Sequence, residues 1–509
     1  MAPEDDQVRS VLAARRRWTV AITALSAMLM TLDITIVNVA LPQIAAGLGA
    51  GLDGLQWIVN AYTLAFAALL LSVGSLSDRV GRRRIFGLGV AVFTVASLGC
   101  ALAPDTTALV AARAVQGVGG ALVMGTGLAL IAAAHAGAGA PARNTAIGLF
   151  AAGGAAAAAL GPLVGGAVVD GWGWRYIFLL NLPLGAAILL GTWLRLTESK
   201  ADDLRHRLDL AGLVLAAMVL FALNYALLTG PVEGWSATSV VGSLVAAGGL
   251  AIVFGIVQWR RGEAAMLDLR LFRIRSFTGA LIVTYASRLV SFGLLPFLIL
   301  WLSGMLGHSP LQIGVRLLFL SITMIIVAPL SGALTRRVPV NVLMALGMAL
   351  TGAGALAMTV IEPGDDWTAA APGLALIGAG AGLAAPHLLG VAVGVVPPGR
   401  AGMASGAANT FFPLGTASGV AVFGAVLAHQ VDLQLPVAEG PAEQVRALVT
   451  AGRFDQLATL PEPVRQAAER GFTNGLSAML TIAGIAGLLA AVASLVLIRG
   501  ADQHEDDPA

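Results

Sequence analysis

Long apolar segments, separated by short charged or Pro/Gly-rich breaks, occupy most of this 509-residue chain. About 20 residues of α-helix cross the roughly 30 Å hydrocarbon core of a membrane, and these segments reach that length. Glycine and proline inside them are compatible with helices, because neighbouring helices cover the freed backbone groups. The segments predict fourteen spans, at 18–41, 55–74, 85–103, 107–132, 144–169, 174–195, 209–229, 237–258, 277–304, 310–333, 340–361, 371–396, 402–428 and 473–498.

The composition agrees with a membrane protein and excludes several functional classes. Hydrophobic residues make up 57% of the chain and charged residues 11%, whereas about a quarter of the residues in soluble domains are charged. The formal net charge of +2 leaves no basic face for nucleic acid. Cys100 is the one cysteine, so an internal disulfide or thiolate metal site cannot form. The sequence shows no cluster of catalytic side chains, and we expect neither an enzyme nor a bound metal or cofactor.

Lysine and arginine predict the orientation of the spans, because cytoplasmic loops carry an excess of both residues. Threading fourteen spans from a cytoplasmic N-terminus places most of the 30 basic residues in cytoplasmic segments. An odd number of spans would move several arginine clusters to the outside. We therefore expect an even number of spans, with both termini in the cytoplasm.

Two groups of six spans have the pattern of copies of one unit. "GSLSDRV" begins at Gly74 after the second span, and "GALTRRV" begins at Gly332 after the second span of the later group. Such duplication is typical of transporters, which place a substrate site between the two repeats near the membrane midplane. The predicted organisation is an N-terminal tail at 1–17, a six-helix bundle at 18–195, linkers with two extra spans at 196–276, a six-helix bundle at 277–498 and a C-terminal tail at 499–509.

A long segment at 429–472 is predicted to lie outside the membrane, within the second bundle. It contains "PAEQVRALVTAGRF" and "PEPVRQAAERGF", which predict two short helices with proline at or near their starts. The segment is interpreted either as a cap over the outer exit or as a solvated loop.

The stretch "GSLSDRVGRRR" at 74–84 combines small residues, one acid and four arginines in a short cytoplasmic connection. Positive-inside anchoring would explain the arginines. It does not explain the acid, which sits at a helix end beside an arginine and suggests a charge relay between neighbouring bundles. The predicted gating residues are Gly74, Asp78, Arg79, Gly81, Arg82 and Arg83.

Several motifs together resemble one transporter family. "GSLSDRVGRRR" resembles the signature loop of the major facilitator superfamily, and "LDITIVNVALP" at 32–42, "LVAARAVQG" at 109–117 and "WGWRYIFLLNLPLG" at 172–185 are similar to motifs of its drug:proton antiporter branch with fourteen spans. The resemblance covers most of the chain and implies an all-α membrane protein with the major facilitator fold. That fold has two six-helix bundles, here with two extra linker helices, and the branch is driven by a proton gradient without a cofactor.

"GPLVGG" in the fifth predicted span is similar to the motif that the family associates with antiport. In that motif Ala157 replaces one of the earlier glycines, but alanine still permits close helix approach. Small residues at this spacing allow tight helix contact in lipid, where packing drives helix association. Such a contact is interpreted as simple packing or as a seal for the outer gate. The predicted residues are Gly161, Pro162, Gly165 and Gly166.

Asp33 lies inside the first span, where an ionisable side chain by default faces a partner or an aqueous cavity. Counted from Trp18 it lies about 22 Å from the cytoplasmic side, and Arg113 in the fourth span lies about 9 Å below the outer face. The two side chains are therefore at similar depth. An apolar cavity and a nearby arginine act in opposite directions on the proton affinity of a carboxylate, which suits a proton-coupling site. The alternative is a buried structural ion pair, and Asn38 is predicted to share the polar face of the helix.

The second half carries arginine rather than acid inside its spans. Arg288 is about 16 Å deep, near the midplane, and no acid of that half is placed to pair with it. A site for dications is therefore not expected, and neutral, zwitterionic or anionic aromatic molecules are favoured. For His387 a packing role, bonded to a backbone carbonyl, is an equal alternative. The predicted cavity residues are Asn38, Tyr285, Arg288, Trp301, His387, Asn409, Phe411 and Phe412.

These features predict a multi-pass protein of the bacterial cytoplasmic membrane that exports amphipathic drugs or antibiotics in exchange for protons by alternating access. The expected partners are a small amphipathic molecule, protons and membrane lipid, and the expected state is a monomer. A dedicated exporter of one endogenous metabolite and a nutrient transporter of the same fold are the alternatives. A transport-inactive membrane receptor or scaffold is the rival class.

Overall fold

The structure is a computed structural model of the chain. It describes residues 2–50, 52–200, 209–262, 265, 267–308, 310–335, 337–396, 401–434, 445, 448–449, 454–457 and 461–499.

Helices account for nearly all of the described residues, because only helices and closed barrels satisfy every backbone polar group in lipid. The segments 175–195 and 275–305 each act as one span although they are locally broken, and the second ends in the π-helical turn Trp301–Met305. The helices are α1 Ala2–Leu48, α2 Leu52–Val80, α3 Arg82–Ala101, α4 Thr106–Ala134, α5 Ala140–Trp172, α6 Arg175–Leu179, α7 Asn181–Arg195, α8 Leu210–Glu233, α9 Thr238–Arg261, α10 Arg275–Gly293, α11 Leu295–Leu300, α12 Pro310–Leu334, α13 Val340–Ala357, α14 Ala371–Gly394, α15 Ala401–Gln434, α16 Phe454–Leu457 and α17 Glu462–Leu497.

Thirteen helical segments of the described chain are long and apolar enough to cross a membrane. The fifth predicted span is α5, a continuous helix of 33 residues that contains two shorter apolar stretches, 145–154 and 163–172. The all-α membrane architecture predicted from the sequence is therefore confirmed. A total of fourteen spans is compatible with these helices, and the placement of both termini in the cytoplasm stays a prediction.

The two groups of six spans pack in the same pattern. In the first group α1 contacts α5, α4 and α7, while α4 contacts α2 and α3, and α3 contacts α7. In the second group α10 contacts α15, α14 and α17, while α14 contacts α12 and α13, and α13 contacts α17. Helix for helix these are equivalent pairings, which is the arrangement that a duplicated unit would give.

The two groups meet through two equivalent pairs of helices, α2 with α15 and α5 with α12. Near the predicted cytoplasmic end, a Cβ added to Gly406 on α15 would lie 3.0 Å from the Leu71 carbonyl oxygen and 3.2 Å from the Gly74 Cα. The buried apolar cluster at this end contains side chains from both groups, such as Ile147 and Leu388. The main clusters at the outer end are separate, one for each group. The halves are therefore packed together on the predicted cytoplasmic side.

The two extra helices differ in their surroundings. Helix α8 packs against both α2 and α15, and Ser72 Oγ donates a hydrogen bond of 3.0 Å to the Leu213 carbonyl oxygen. Helix α9 packs mainly on α8, and only 11% of its apolar window is buried within the protein. Asp209, at the start of α8, accepts hydrogen bonds from Gln258 and from the Gly212 N–H and pairs with Arg261. The pair of helices is thus fixed at the line where the two halves meet.

The outer segment at 429–472 differs from the sequence prediction. Helix α15 continues to Gln434, and the stretch "PEPVRQAAERGF" is not a separate short helix. It forms the first turns of the continuous helix Glu462–Leu497, with Pro461 at its N-cap. Proline favours a helix start but gives no signal for where a helix ends, and nothing in the next residues stops this one. The first predicted short helix, at 441–454, falls mostly outside the described residues.

Candidate functional site

The side chain of Asp33 lies in a buried polar cluster formed by four helices. Helix α1 supplies Asp33, α3 supplies Ser97, α4 supplies Arg113 and Gln116, and α7 supplies Asn181. Arg113 Nη1 lies 2.6 Å from Asp33 Oδ2, while Gln116 Nε2 and Asn181 Nδ2 donate to Oδ1 over 2.9 and 2.7 Å. Asp33 is 3% exposed and Arg113 is 1% exposed. Both carboxylate oxygens are therefore occupied, which is what a buried charge requires.

The guanidinium of Arg113 is held from several sides. Its Nε donates to the Ile58 carbonyl oxygen over 3.2 Å, and Nη1 also donates to Gln116 Oε1 over 2.7 Å. The Tyr62 ring lies 4.4 Å from the guanidinium carbon, in a cation–π contact. These contacts fix the arginine so that its Nη1 donates one short bond to Asp33 and another to Gln116.

The sequence predicted that Asp33 and Arg113 lie at one depth, and the structure brings them together. It did not identify Gln116, Ser97 or Asn181 as members of the same cluster. Each of them is a polar residue within an apolar span, and Gln116 lies one turn from Arg113 on α4, so these signals were available. The side chain of Asn38 lies outside the described part of the structure.

The junction of α2 and α3, the loop predicted at 74–84, connects the two halves through Asp78 in the last turn of α2. Its carboxylate pairs with Arg82 at 2.7 Å, and its Oδ2 accepts the Met403 backbone N–H over 3.0 Å. Met403 is in the first turn of α15, where backbone N–H groups lack helical partners and a carboxylate is favoured. The sequence placed Asp78 beside Arg79, whereas the ion pair seen here is formed one turn later. Gly81 interrupts the helix between Asp78 and Arg82, and its turn brings Arg82, the first residue of α3, back to Asp78 in the last turn of α2.

The rest of this loop is bound to the segment that follows α7. Gly81 has a φ of 122°, and a Cβ there would lie 2.7 Å from the carboxyl carbon of Glu198. Glu198 Oε1 accepts the Arg83 backbone N–H over 3.0 Å, and Arg83 Nη2 donates to the Trp193 carbonyl oxygen. Glycine is needed at position 81 both for the backbone conformation and for this close approach.

The glycines of the fifth span face the first helix. A Cβ at Gly161 would overlap the Thr35 side chain, and one at Gly165 would lie 3.3 Å from the Ile36 Cα. A Cβ at Gly166 would meet no heavy atom within 4 Å. Of these three glycines, Gly161 and Gly165 thus permit the close packing of α5 on α1. The side chain of Pro162 is not among those that the structure describes.

In the second half, Arg288 on α10 lies against aromatic side chains. Its guanidinium carbon is 4.1 Å from the Phe412 ring centroid and 4.5 Å from that of Phe292. Its Nε has no hydrogen-bond partner within the described chain. Gly415 on α15 permits this approach, because a Cβ there would lie 3.0 Å from the Arg288 Cβ.

Three of the other predicted cavity residues lie near Arg288 or Phe412 along the chain. Tyr285 lies one turn before Arg288, and the partly buried Phe411 precedes Phe412. Asn409 is buried and donates to the Ser405 carbonyl oxygen over 3.0 Å. Pro413 lacks an N–H, so the Asn409 carbonyl loses its usual helical donor.

Two predicted cavity residues lie elsewhere. Trp301 is 2% exposed in the outer cluster, about 20 Å along the helix from Arg288. His387 is buried near the predicted cytoplasmic side, with its Nε2 2.7 Å from Ser331 Oγ. The sequence assigned both by residue type, and the distance along each span separates them from Arg288. The packing alternative fits His387 as the structure has it, although its partner is a hydroxyl and not a backbone carbonyl.

A duplicated bundle of membrane helices with a buried charge cluster in one half is the arrangement of a membrane transporter. The chain belongs to the Major Facilitator Superfamily, whose family model matches residues 23–420. The family resemblance drawn from the motifs is thereby confirmed, and so is the placement of the protein in the cell membrane.

Named relatives are bacterial drug- and antibiotic-resistance proteins, which is consistent with the drug:proton antiporter branch. The chain is 38% identical over 419 residues to the multidrug resistance protein Stp of Mycobacterium tuberculosis, covering 82% of this chain and 77% of that protein. It is 31% identical to the tetracenomycin C resistance and export protein of Streptomyces glaucescens, covering 97% of this chain and 94% of that one.

Solved structures show the same fold at low identity. A human organic anion transporter matches with a TM-score of 0.59 and 16% identity, covering 93% of this chain and 99% of its own. A bacterial homologue of the human lysosomal transporter Spinster, in an inward-facing and unoccupied conformation, matches with a TM-score of 0.57 and 18% identity, covering 97% and 99%.

Proposed function

We propose that this protein exports small amphipathic molecules in exchange for protons, with Asp33 as the proton-coupling carboxylate. The observation that supports this most is the buried cluster in which Arg113, Gln116 and Asn181 all donate to Asp33. An ionised side chain inside a span is costly, and it is usually retained for function.

The coupling follows from the number of donors around the carboxylate. An ionised Asp33 accepts three hydrogen bonds and balances the charge of Arg113. Protonation removes that charge and adds a donor that needs an acceptor, so the bond from Arg113 is weakened and the cluster must rearrange. The protonated and ionised forms therefore favour different arrangements of α1, α4 and α7. A change in helix arrangement linked to proton binding is the requirement for exchange.

Alternating access is supported by the contact of Asp78 with the start of α15. This contact joins the halves on the predicted cytoplasmic side, and breaking it would permit rocking of one half against the other. The halves are joined by two equivalent helix pairs, α2 with α15 and α5 with α12, as such a motion requires.

The printed names of the relatives support export of drugs or antibiotics. A dedicated exporter of one metabolite is the second candidate, because the tetracenomycin C relative aligns over nearly the whole chain. A nutrient transporter or a transport-inactive receptor has no such support.

The test is a compound panel in cells that lack their own pumps, followed by purified protein in proteoliposomes. We expect lowered accumulation of some compounds, and substrate-induced proton movement in the liposomes. A protein that binds these compounds but moves neither them nor protons would contradict the proposal.

A further inference from the structure

Arg288 carries a charge inside a span, and the described structure supplies no acid for it. None of the ion pairs found among the described residues includes Arg288, and its Nε has no hydrogen-bond partner. The Phe412 and Phe292 rings beside it accept the charge through their π faces but do not replace conventional acceptors for its N–H groups.

Asp33 cannot serve as the missing counter-charge in this arrangement. Its Oδ2 is taken by Arg113, and its Oδ1 receives both Gln116 and Asn181. Asp78, the acid at the junction of the halves, is paired with Arg82. The charge of Arg288 is therefore balanced by something that is not an acid of these two clusters.

The helix around Arg288 presents further polar atoms without partners. Thr284 Oγ1, one turn before, and Ser291 Oγ, one turn after, are buried and make no hydrogen bond in the described structure. Spacings of three and four residues put all three side chains on one face of α10. Buried polar groups are satisfied in most proteins, so this face of α10 offers three polar atoms to a ligand or to ordered water.

We propose that Arg288, with Phe412 and Phe292, binds the carboxylate of a planar aromatic acid, and that such acids are the preferred substrate class. The proposal rests on the export function proposed above, whose substrate it specifies. The guanidinium offers paired N–H donors that match a carboxylate, and the phenyl rings offer stacking surfaces for the aromatic part. A lipophilic cation would face an unpaired positive charge at the same place.

Arg316 provides a matched control. It also lies against an aromatic ring, with its guanidinium carbon 5.3 Å from the Trp367 centroid, and its Nε also has no partner in the described chain. It differs in its electrostatic surroundings near the outer end. The pKa of Asp366 there is lowered, first by the Thr368 N–H and further by the charge of Arg316. Arg316 makes no ion pair among the described residues either, but the charge of Asp366 acts on it from the loop at the outer end, so Arg316 is an aromatic-packed arginine outside the Arg288 site.

The experiment is equilibrium binding of three matched probes to purified protein in nanodiscs, measured by fluorescence anisotropy. The probes are pyrenebutyrate, pyrenebutanol and pyrenebutylammonium, which share one ring system and differ in charge. We expect wild type to favour the butyrate and Arg288→Gln to lose that preference by roughly 10- to 100-fold. Arg288→Lys should keep part of it, because a lysine retains charge but not the paired geometry. Arg316→Gln should match wild type.

Two results would overturn the proposal. One is an unchanged charge preference in Arg288→Gln, and the other is an equal loss of all three probes in folded protein. If the glutamine variant does not fold, the charge preference is measured with Arg288→Lys instead, and an unchanged preference there would also count against the proposal. Binding does not require transport, so failure of proton exchange in liposomes would count against the proposed function and not against this site.

Discussion

At the scale of single residues, the first half of the protein depends on one fully bonded carboxylate. Asp33 is bonded by three side chains from two other helices, so the charge that would exchange protons also holds α1, α4 and α7 together. Function and stability are therefore coupled at this residue, and a test must separate them.

We expect Asp33→Asn to abolish substrate-induced proton release in proteoliposomes, because the amide cannot titrate. It also leaves Arg113 buried without a counter-charge, which costs about 3–5 kcal/mol. The melting temperature should fall accordingly. The double variant Asp33→Asn with Arg113→Gln removes both charges, so it should recover stability but not proton release. Normal proton release by the folded single variant would refute the coupling role.

Residue-level prediction from the sequence succeeded where depth along a helix was enough. The pairing of Asp33 with Arg113 followed from counting residues from opposite faces of the membrane. The contribution of Asn181 could not be counted in this way, since it depends on how α7 packs beside α1. Trp301 and His387 were grouped with Arg288 by chemistry alone, and their positions along the helices separate them.

At the scale of helices, the contact between Asp78 and the start of α15 joins the two halves. A carboxylate at a helix N-terminus contributes roughly 0.3–2 kcal/mol, and here the helix belongs to the other half. The free energy of this contact is gained only while the halves are closed on this side. It therefore acts on the conformational equilibrium and leaves the substrate site unchanged.

We expect Asp78→Asn to slow transport while the substrate dissociation constant stays near that of wild type. Arg79→Ala should have the same direction of effect if the loop acts as one relay. The comparison variant is Arg84→Ala, because that side chain is 67% exposed and its ion pair is long at 3.6 Å. Measured turnover and binding will decide, and weaker binding at unchanged turnover would contradict the relay.

The contact between α5 and α1 gives a second test at this scale. Gly161→Ala adds a Cβ that overlaps Thr35, and overpacking of this kind costs about 1–3 kcal/mol. We expect lower stability and impaired transport. Gly166→Ala adds the same methyl group where no heavy atom lies within 4 Å, so it should behave as wild type. Equal behaviour of the two variants in thermal unfolding and efflux would show that this contact is unimportant.

The existence of helices was easier to predict from the sequence than their interruptions. Apolar length alone located the spans, since lipid leaves a helix no alternative for its backbone groups. The break between Gly293 and Leu295 has a signal in Pro296, which lacks a helical N–H, whereas the π-turn that begins at Trp301 has none. The turns that begin at Glu462 were predicted as a separate short helix before the span at 473–498. The sequence carries no signal that a helix continues from one predicted element into the next, and here it does.

At the scale of the whole molecule, the same helix pairings in each half give two interfaces related by the duplication. The structure closes them on the predicted cytoplasmic side, while the main apolar clusters of the outer end remain separate. A rocking motion that keeps each half intact would open one end as the other closes. The two ends are therefore expected to change in opposite directions.

This expectation can be measured with spin labels on single cysteines, because the native Cys100 is buried and does not compete for the label. Arg84 and Arg337 are exposed near the predicted cytoplasmic end, one in each half. Asp170 and Leu433 are exposed at the outer ends of α5 and α15.

In the background with Asp78 intact, we expect the pair at 84 and 337 to give one short, narrow distance distribution by pulsed electron resonance. Asp78→Asn removes up to about 2 kcal/mol from the closed form, which corresponds to as much as roughly a 30-fold change in population. The cytoplasmic pair should then gain a longer component while the pair at 170 and 433 shortens. Lengthening of both pairs would instead indicate loosening of the whole protein, and no change at either end would mean that Asp78 does not hold the halves closed.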